Sequence, residues 1–519
     1  MRTFHRILST GAAVAACAVA LTMPGLAMSA GAASGADWPT FGGDTSRSNA
    51  NMAPTKITPA NVGSMVRMQV QVSAPIDAGL IYLKGVQVNG ASHDVFFGTT
   101  NLGRTVAIDA AAGKVLWEYA PPGFDEAAAM TGARIPMGIN VKQITNSTPV
   151  ADDNRQYIYA ADADGKVTKI AIADGKAVWS TAITKMPNFE KMDSPLSFVN
   201  GKVIVPTAGY VGDTPPYQGH IAVLDAKTGK LESVWNSLCS DRHELLDPKS
   251  CEQGQSAIWG RAGIVHDPAT GNLLFATGNG PYDGKTNWGD SLIMLDPTAS
   301  KMLGNWTTTN NAELNQKDLD MGSTTPALLG DGYMAQGGKD GTIRLVTMDL
   351  IKGTEPHQGN EVQIVEVPGK GQMLTAPAVA KVGGKTWLYV SASGRGGGGT
   401  TAWTFDNHKL NEAWKSTVAG TTPFYANGMV FIFSPGNPGK LNVLNATTGA
   451  SVAALEAGSG HWNSLIVADN RIALPEGAIS GFGGMGGRRG GGPGGPAPAP
   501  AAPAAEPIPA GIVNIWHLP

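Results

Sequence analysis

The sequence predicts an all-β fold: an eight-bladed β-propeller of four-stranded antiparallel blades, its ring closed by strands from the N- and C-terminal ends. Three observations carry this. A Pro-led apolar run, then a turn and a second apolar run, recurs at Thr148-Pro149-Val150, Ser194-Pro195-Leu196, Thr325-Pro326-Ala327, Ala376-Pro377-Ala378 and Thr422-Pro423-Phe424. A second phrase, apolar-x-apolar-Asp-x-x-x-Gly-Lys-x-x-Trp, covers 106–117, 167–179 and 221–235, with a degenerate copy over 292–306. Unit starts fall near Pro75, Pro149, Pro195, Gly263, Pro326, Pro377, Pro423 and Leu465, and the closest lie 42 to 51 residues apart, the length of one blade. Four short strands cannot bury both their faces alone, so neighbouring units must stack.

The chain opens on a targeting segment. Arg2, His5 and Arg6 precede an apolar and small-residue stretch from Ile7 to Leu26, followed by Ala27, Ser29 and Ala30, the layout of a signal peptide over 1–30. Cleavage is expected after Ala30, with Ala33 and Ala36 as alternatives. Lipoprotein processing at Cys17 is a second reading, under which the mature protein is lipid-anchored. No later stretch reaches the ~20 apolar residues of a spanning helix, so an exported protein, periplasmic or extracellular, is expected.

Residues 37–519 then form a single propeller domain. Within each unit Asp109, Asp225 and Asp296 accept from backbone N–H groups two residues on, and Gly113, Gly175 and Gly229 supply the positive φ of a tight turn. The terminal Trp of the phrase (Trp117, Trp179, Trp235, Trp306, Trp414) is expected to pack between adjacent blades. Insertions fall at 118–145, between Cys239 and Cys251, and at 307–322. Residues 478–510, rich in Gly, Pro and Ala, are expected to be a disordered insert. The alternating 511–519 after it reads as the third strand of blade eight, and the fourth comes from 65–72. Closure by both ends removes exposed sheet edges.

Gly is 68 of 519 residues and charged residues are 15%, which suits many turns between short strands. Apolar residues at 42% supply a large core, and a net charge of -3 makes no case for nucleic acid or an anionic membrane. Besides Cys17 the only cysteines are Cys239 and Cys251, expected to form a disulfide in an oxidising compartment. A metal pair there lacks the CxxC spacing and a nearby His pair.

The repeat phrase resembles the PQQ-like, or quinoprotein, propeller repeat over most of 37–519. Asp37-Trp38-Pro39-Thr40-Phe41-Gly42-Gly43-Asp44 resembles the start of PQQ-dependent alcohol dehydrogenases, as do Trp259-Gly260, Ala276-Thr277-Gly278-Asn279-Gly280 and Gly289-Asp290-Ser291. The resemblance implies cofactor-binding roles for Trp259, as the floor beneath a planar quinone, and Lys339, as a cation at a quinone carbonyl. It implies calcium ligands at Asn279 and Asp320, and a general base at Asp320 or Asp318. The sequence departs from the family pattern in three ways: no Glu occurs in 206–213, where only Asp213 could replace a calcium ligand; there is no vicinal Cys pair; and there is no CxxCH.

Other motifs carry less. His243 and Glu244 lack the second His of a metalloprotease box, and the glycine run 394–399 is followed by a strand, so it cradles no phosphate. His461-Trp462 opens blade eight on its innermost strand near the channel, where packing and pore-lining readings both stand.

Two function classes follow. One is an exported binding or assembly scaffold of the cell envelope, a degenerate quinoprotein included, which takes an envelope protein or a small molecule at its central channel. The other is a periplasmic PQQ/calcium-dependent alcohol or sugar dehydrogenase. A monomer without nucleic-acid partners is expected in either case.

Overall fold

The chain alternates apolar and polar residues in short runs separated by Asp- and Gly-bearing turns, and these runs form eight sheets. The computed structural model describes residues 37–134, 140–210, 215–394, 397–480, 482–483 and 507–519. The leader assigned to 1–30 and Cys17 lie outside the described residues. In blade one, Ile81–Val88, Ala91–Thr99, Thr105–Asp109 and Lys114–Tyr119 pair in sequence order, all antiparallel. Six further sheets repeat this pattern, with innermost strands starting at Val150, Ser197, Val265, Ala327, Ala378 and Phe424. No helix among the described residues is long and apolar enough to cross a membrane.

Blade eight closes the ring as the alternating C-terminus predicts. Ile466–Ala468 and Arg471–Glu476 come from the chain's last unit, Gly511–His517 is the third strand, and Val66–Val72 the outermost. The register runs from Val66 opposite His517 to Val72 opposite Gly511.

The insert read as disordered over 478–510 needs a correction at its start. Ile479 is buried with Ala74, Leu102 and Tyr210, and its N–H donates to Asn101 Oδ1 at 3.0 Å. Phe482–Gly483 pairs with Asn140–Val141, inside the 118–145 insertion. An apolar side chain with a neighbouring acceptor docks here despite the glycine-rich surroundings. Residues 484–506 lie outside the described residues.

The Asp-x-x-x-Gly turns do two jobs. Asp109 Oδ1 accepts from the N–H groups of Ala111 at 2.8 Å and Ala112 at 2.7 Å, and Gly113, Gly175 and Gly229 have φ of 63°, 71° and 75°. The same glycines are also docking floors. A Cβ at Gly175 would lie 2.8 Å from Trp117 of blade one, and one at Gly449 2.6 Å from Trp414 of blade six. Trp117 Nε1 then donates to Ile172 O and Trp414 Nε1 to Ala446 O, both at 2.9 Å. The indoles of Trp117, Trp179 and Trp414 therefore cover the turn of the next blade and donate their one N–H there. At the seam, Met68 takes the indole's place over Gly113.

Hydroxyls before the Pro-led strands tie the blades into a belt. Ser147 Oγ donates to Ser194 O at 2.7 Å, Ser194 Oγ to Gly260 O at 2.9 Å, and Thr324 Oγ1 to Thr375 O at 3.0 Å. Pro supplies the extended φ that starts each strand, and the preceding hydroxyl reaches the next blade.

One mouth of the channel is crossed by the segment before the ring. Trp38 bridges Tyr82 of blade one, and Pro39 O accepts from Ala151 N–H of blade two. Arg47 Nη2 reaches Leu196 O of blade three at 3.0 Å, and its Nε reaches Ile264 O of blade four at 3.1 Å. Ser48 O accepts from Val379 of blade six, Ala50–Asn51 pairs in parallel with Phe424–Ala426 of blade seven, and Asn51 Nδ2 donates to Val467 O of blade eight. The buried Arg47 guanidinium works as a fork of donors to backbone and hydroxyl oxygens. Apart from Leu196 and Ile264, each one residue short of its strand, these contacts lie along the innermost strands, away from the strand entries at the opposite mouth.

Candidate functional site

The residues that enter each innermost strand face that second mouth, and so do the loops joining second and third strands. Trp259 comes from the entry of blade four, Asp318 and Asp320 from the 307–322 insertion, and Asn279 and Lys339 from second-to-third-strand loops of blades four and five. Helix Asn311–Lys317 ends with Asp318 in the left-handed region, φ 54°. That reversal turns 318–320 back toward the channel.

All five residues that the sequence assigns to a site come together. Trp259 Nε1 donates to Asp320 Oδ2 at 2.8 Å. Lys339 Nζ lies 2.8 Å from Asp320 Oδ1 and 2.5 Å from Asp318 Oδ1, and 5.0 Å from the centroid of the Trp259 ring. Asn279 Nδ2 donates to Asp318 Oδ1 at 2.7 Å. Asp320 is buried, and that burial raises its carboxyl above the usual range while Lys339 pulls it back. Burial works against the Lys339 ammonium, yet Asp320 and Asp318 outweigh it and hold its pKa above the ordinary lysine value. Behind them Asp290 is fully buried; burial and then the Asp320 charge push its carboxyl well above the usual range.

A second cluster, which sequence reasoning did not assemble, forms a closed circuit across five blades. Asp77 Oδ2 of blade one accepts from Asn146 Nδ2 of blade two at 2.8 Å. Asn146 Oδ1 accepts from Lys191 Nζ of blade three at 3.0 Å. Lys191 Nζ and Arg261 Nη2 each lie 3.0 Å from an Asp193 oxygen. The Arg261 guanidinium of blade four sits 3.4 Å from the Trp462 ring centroid of blade eight, a cation–π contact. Trp462 N–H returns to Asp77 Oδ1 at 2.6 Å. Burial drives the Asp193 carboxyl up, but Arg261 and Lys191 outweigh it and leave it below the usual range. Two carboxylates and two cations balance inside the circuit, which is why its charges tolerate burial. The available sequence signal was position: each member stands just before an innermost strand.

A calcium ion and a quinone would meet a mixed set of groups here. Asn279 Oδ1 is buried without a hydrogen bond, which suits a hard-cation ligand. The rest of the set does not fit. Among the described residues no group of three His, Cys, Asp or Glu could hold a metal ion, and Lys339 already lies between the two carboxylates. Glu190, in register opposite Gly209, is spent on Thr184 Oγ1 and the Gln218 N–H. Asp213 lies outside the described residues. Trp259 and Trp462 stand 6.0 Å apart and tilted by 48°, less than the about 7 Å that a flat ring between them requires at normal carbon contact.

Cys239 and Cys251 form a disulfide, with Cα atoms 6.3 Å apart. Within that loop Glu244 is an exposed partner of Arg242 at 2.8 Å, as the discounted protease box implies. Gly394 bonds into its own turn with Gly397.

Comparison with known proteins gives a consistent picture. A family model described as outer membrane protein assembly factor BamB matches residues 60–244. A quinohemoprotein alcohol dehydrogenase of Comamonas testosteroni is 25% identical over 349 residues, 62% of this chain and 45% of that protein. Quinohemoprotein alcohol dehydrogenase ADH IIB of Pseudomonas putida is 25% identical over 244 residues, 42% of this chain and 33% of that protein. The chain thus spans less than half the length of these relatives. Among solved structures, the Comamonas testosteroni quinohemoprotein alcohol dehydrogenase superposes with a TM-score of 0.66 at 17% identity, covering 93% of this chain and 81% of that one. A europium-containing methanol dehydrogenase superposes at 0.63 with 14% identity, covering 93% and 98%. At that identity the superpositions show a shared fold.

Proposed function

We propose that this PQQ-like β-propeller is an exported binding protein of the cell envelope, with the channel mouth at the strand entries as a pocket for a small polar molecule. The observation that carries this reading is the Lys339 ammonium lodged between Asp318 and Asp320. An ammonium there satisfies both carboxylates and opposes a divalent cation, whose affinity follows the count of anionic ligands. Two indoles, an ammonium and a half-exposed amide then line a bowl suited to a ligand with both a flat apolar face and hydrogen-bonding groups. The relatives' names, quinohemoprotein alcohol dehydrogenases, point to small-molecule chemistry, and the family model's description points to a role in assembly.

The test is calorimetry with Ca²⁺ and with PQQ on the purified protein, beside native mass spectrometry for retained small molecules. A retained molecule lost in Trp259→Ala, with no calcium binding in the micromolar range, supports the reading. Micromolar Ca²⁺ binding overturns it.

A PQQ/calcium-dependent alcohol or sugar dehydrogenase is the second reading, favoured by the orphan Asn279 Oδ1 and by the relatives that are named as such. Dye reduction by the protein with PQQ, Ca²⁺ and a panel of alcohols and sugars decides between them.

A further inference from the structure

We infer that His461, held by Asp77, is a proton acceptor at the open mouth of the channel, acting on the hydroxyl of a small molecule bound there. The inference rests on the reading that the mouth takes such a molecule.

The argument is a chain of forced donors. Lys191 Nζ has only protons to give, so the Asn146 atom that faces it must be the oxygen. The other end of that amide is then the NH₂ group, and it donates to Asp77 Oδ2. Asp77 Oδ1 accepts from the Trp462 backbone N–H. Both oxygens of Asp77 are thus acceptors, its side chain is 1% exposed, and no other base competes for its contact with His461. The His461 Nδ1 at 3.0 Å from Asp77 Oδ2 must therefore carry the proton. Nε2 is left with the lone pair.

That lone pair is available. The His461 side chain is 52% exposed, and its Nε2 bonds to no described residue. The ring is nevertheless fixed: it lies 3.8 Å from the Trp462 ring, and its backbone N–H donates to Asn463 Oδ1 at 2.8 Å. Asn463 in turn donates to Ile76 O and Gly477 O at 2.7 and 2.9 Å. Asp320, the base implied by family resemblance, has Trp259 on one oxygen and Lys339 on the other. A molecule seated against the indoles meets a free imidazole nitrogen and an occupied carboxylate.

The step balances simply. The ligand O–H bond breaks, Nε2–H forms, the electron pair stays on the ligand oxygen, and Asp77 stabilises the imidazolium. The class of ligand is a hydroxyl-bearing small molecule, an alcohol or polyol.

Two measurements on the full chain test this. In alkaline buffer, ¹⁵N-histidine NMR of the wild type should show Nε2 of His461 as the unprotonated, pyridine-type nitrogen and Nδ1 as the protonated one. Diethyl pyrocarbonate labelling, mapped by mass spectrometry, should acylate His461 at Nε2, at least about tenfold more slowly in Asp77→Asn. Glycerol and glucose at saturating concentration serve as hydroxyl probes and should protect His461 from labelling. A pyridine-type Nδ1 in the wild type overturns the proposal, and needs no variant to fold. So does a probe that quenches Trp259 fluorescence yet leaves His461 labelling unchanged. If both probes leave Trp259 fluorescence unchanged, the tautomer and the labelling rates still decide the state of His461, and the small-molecule reading of the mouth is what fails.

Discussion

The Arg261 guanidinium lies 3.4 Å from the centroid of the Trp462 indole, and this contact joins blade four to blade eight across the channel. Without it the circuit from Asp77 through Asn146, Lys191 and Asp193 would end at a buried cation. With it, the charge is covered by a ring face on one side and by Asp193 on the other.

Arg261→Ala should therefore destabilise the protein by about 3–5 kcal/mol, because Asp193 stays buried with one cation fewer. The double variant Arg261→Met, Asp193→Leu should recover part of that loss. Urea unfolding of both measures the difference; equal losses would show the ion pair to be irrelevant.

The tryptophan floors separate two costs of replacing glycine. Gly201 has φ 72° with nothing within 4 Å of a built Cβ, whereas Gly175 has nearly the same φ with Trp117 at 2.8 Å. Gly201→Ala should cost about 1 kcal/mol through backbone strain alone. Gly175→Ala should cost about 1–3 kcal/mol more through overpacking against the indole. Thermal melts of the pair read the gap directly.

Acid should weaken the plugged mouth through His266. Burial, and then the Arg47 charge, lower its pKa from 6.5 to about 3. The neutral form is the one that fits, and the unfolded chain binds a proton that the folded one does not. Stability from this group is complete above pH 6.5 and is lost as pH falls toward about 3, by no more than about 5 kcal/mol. Asp290, raised by burial, has the opposite sign. The check is the difference between wild type and His266→Leu, which should shrink as the buffer is acidified across that window.

Reducing the Cys239–Cys251 bond frees a loop with a sequence separation of 12. The loss should be about 3 kcal/mol on the loop-entropy estimate. Comparing urea midpoints with and without reductant measures it, and Cys239→Ser should match the reduced protein.

Cutting 512–519 should abolish closure, since Gly511–His517 lies between Arg471–Glu476 and Val66–Val72. A truncated protein that melts at the wild-type temperature would contradict the ring.

Much of this was legible from local chemistry. Turn formation by Asp109 and Gly113, the Pro at six of the eight unit starts and the alternation in 511–517 act over a few residues, so a repeat in sequence is a repeat in space. That determined eight blades, their order and the closing partners. The cluster of Trp259, Asn279, Asp318, Asp320 and Lys339 was readable through family resemblance. Other features had no local signature. Asp77, Asn146, Asp193, Arg261 and Trp462 mix acid, amide, cation and indole over five separate units, so only their place before an innermost strand, and no repeated residue, links them. The plug around Arg47 bonds to carbonyls, which every residue carries. Sequence alone determined the ring, because turns and strands are made by neighbours in the chain. What fills the channel, which mouth stays open and which base is free were decided by the tertiary structure, because those contacts exist only once the closed circle brings distant strand entries face to face.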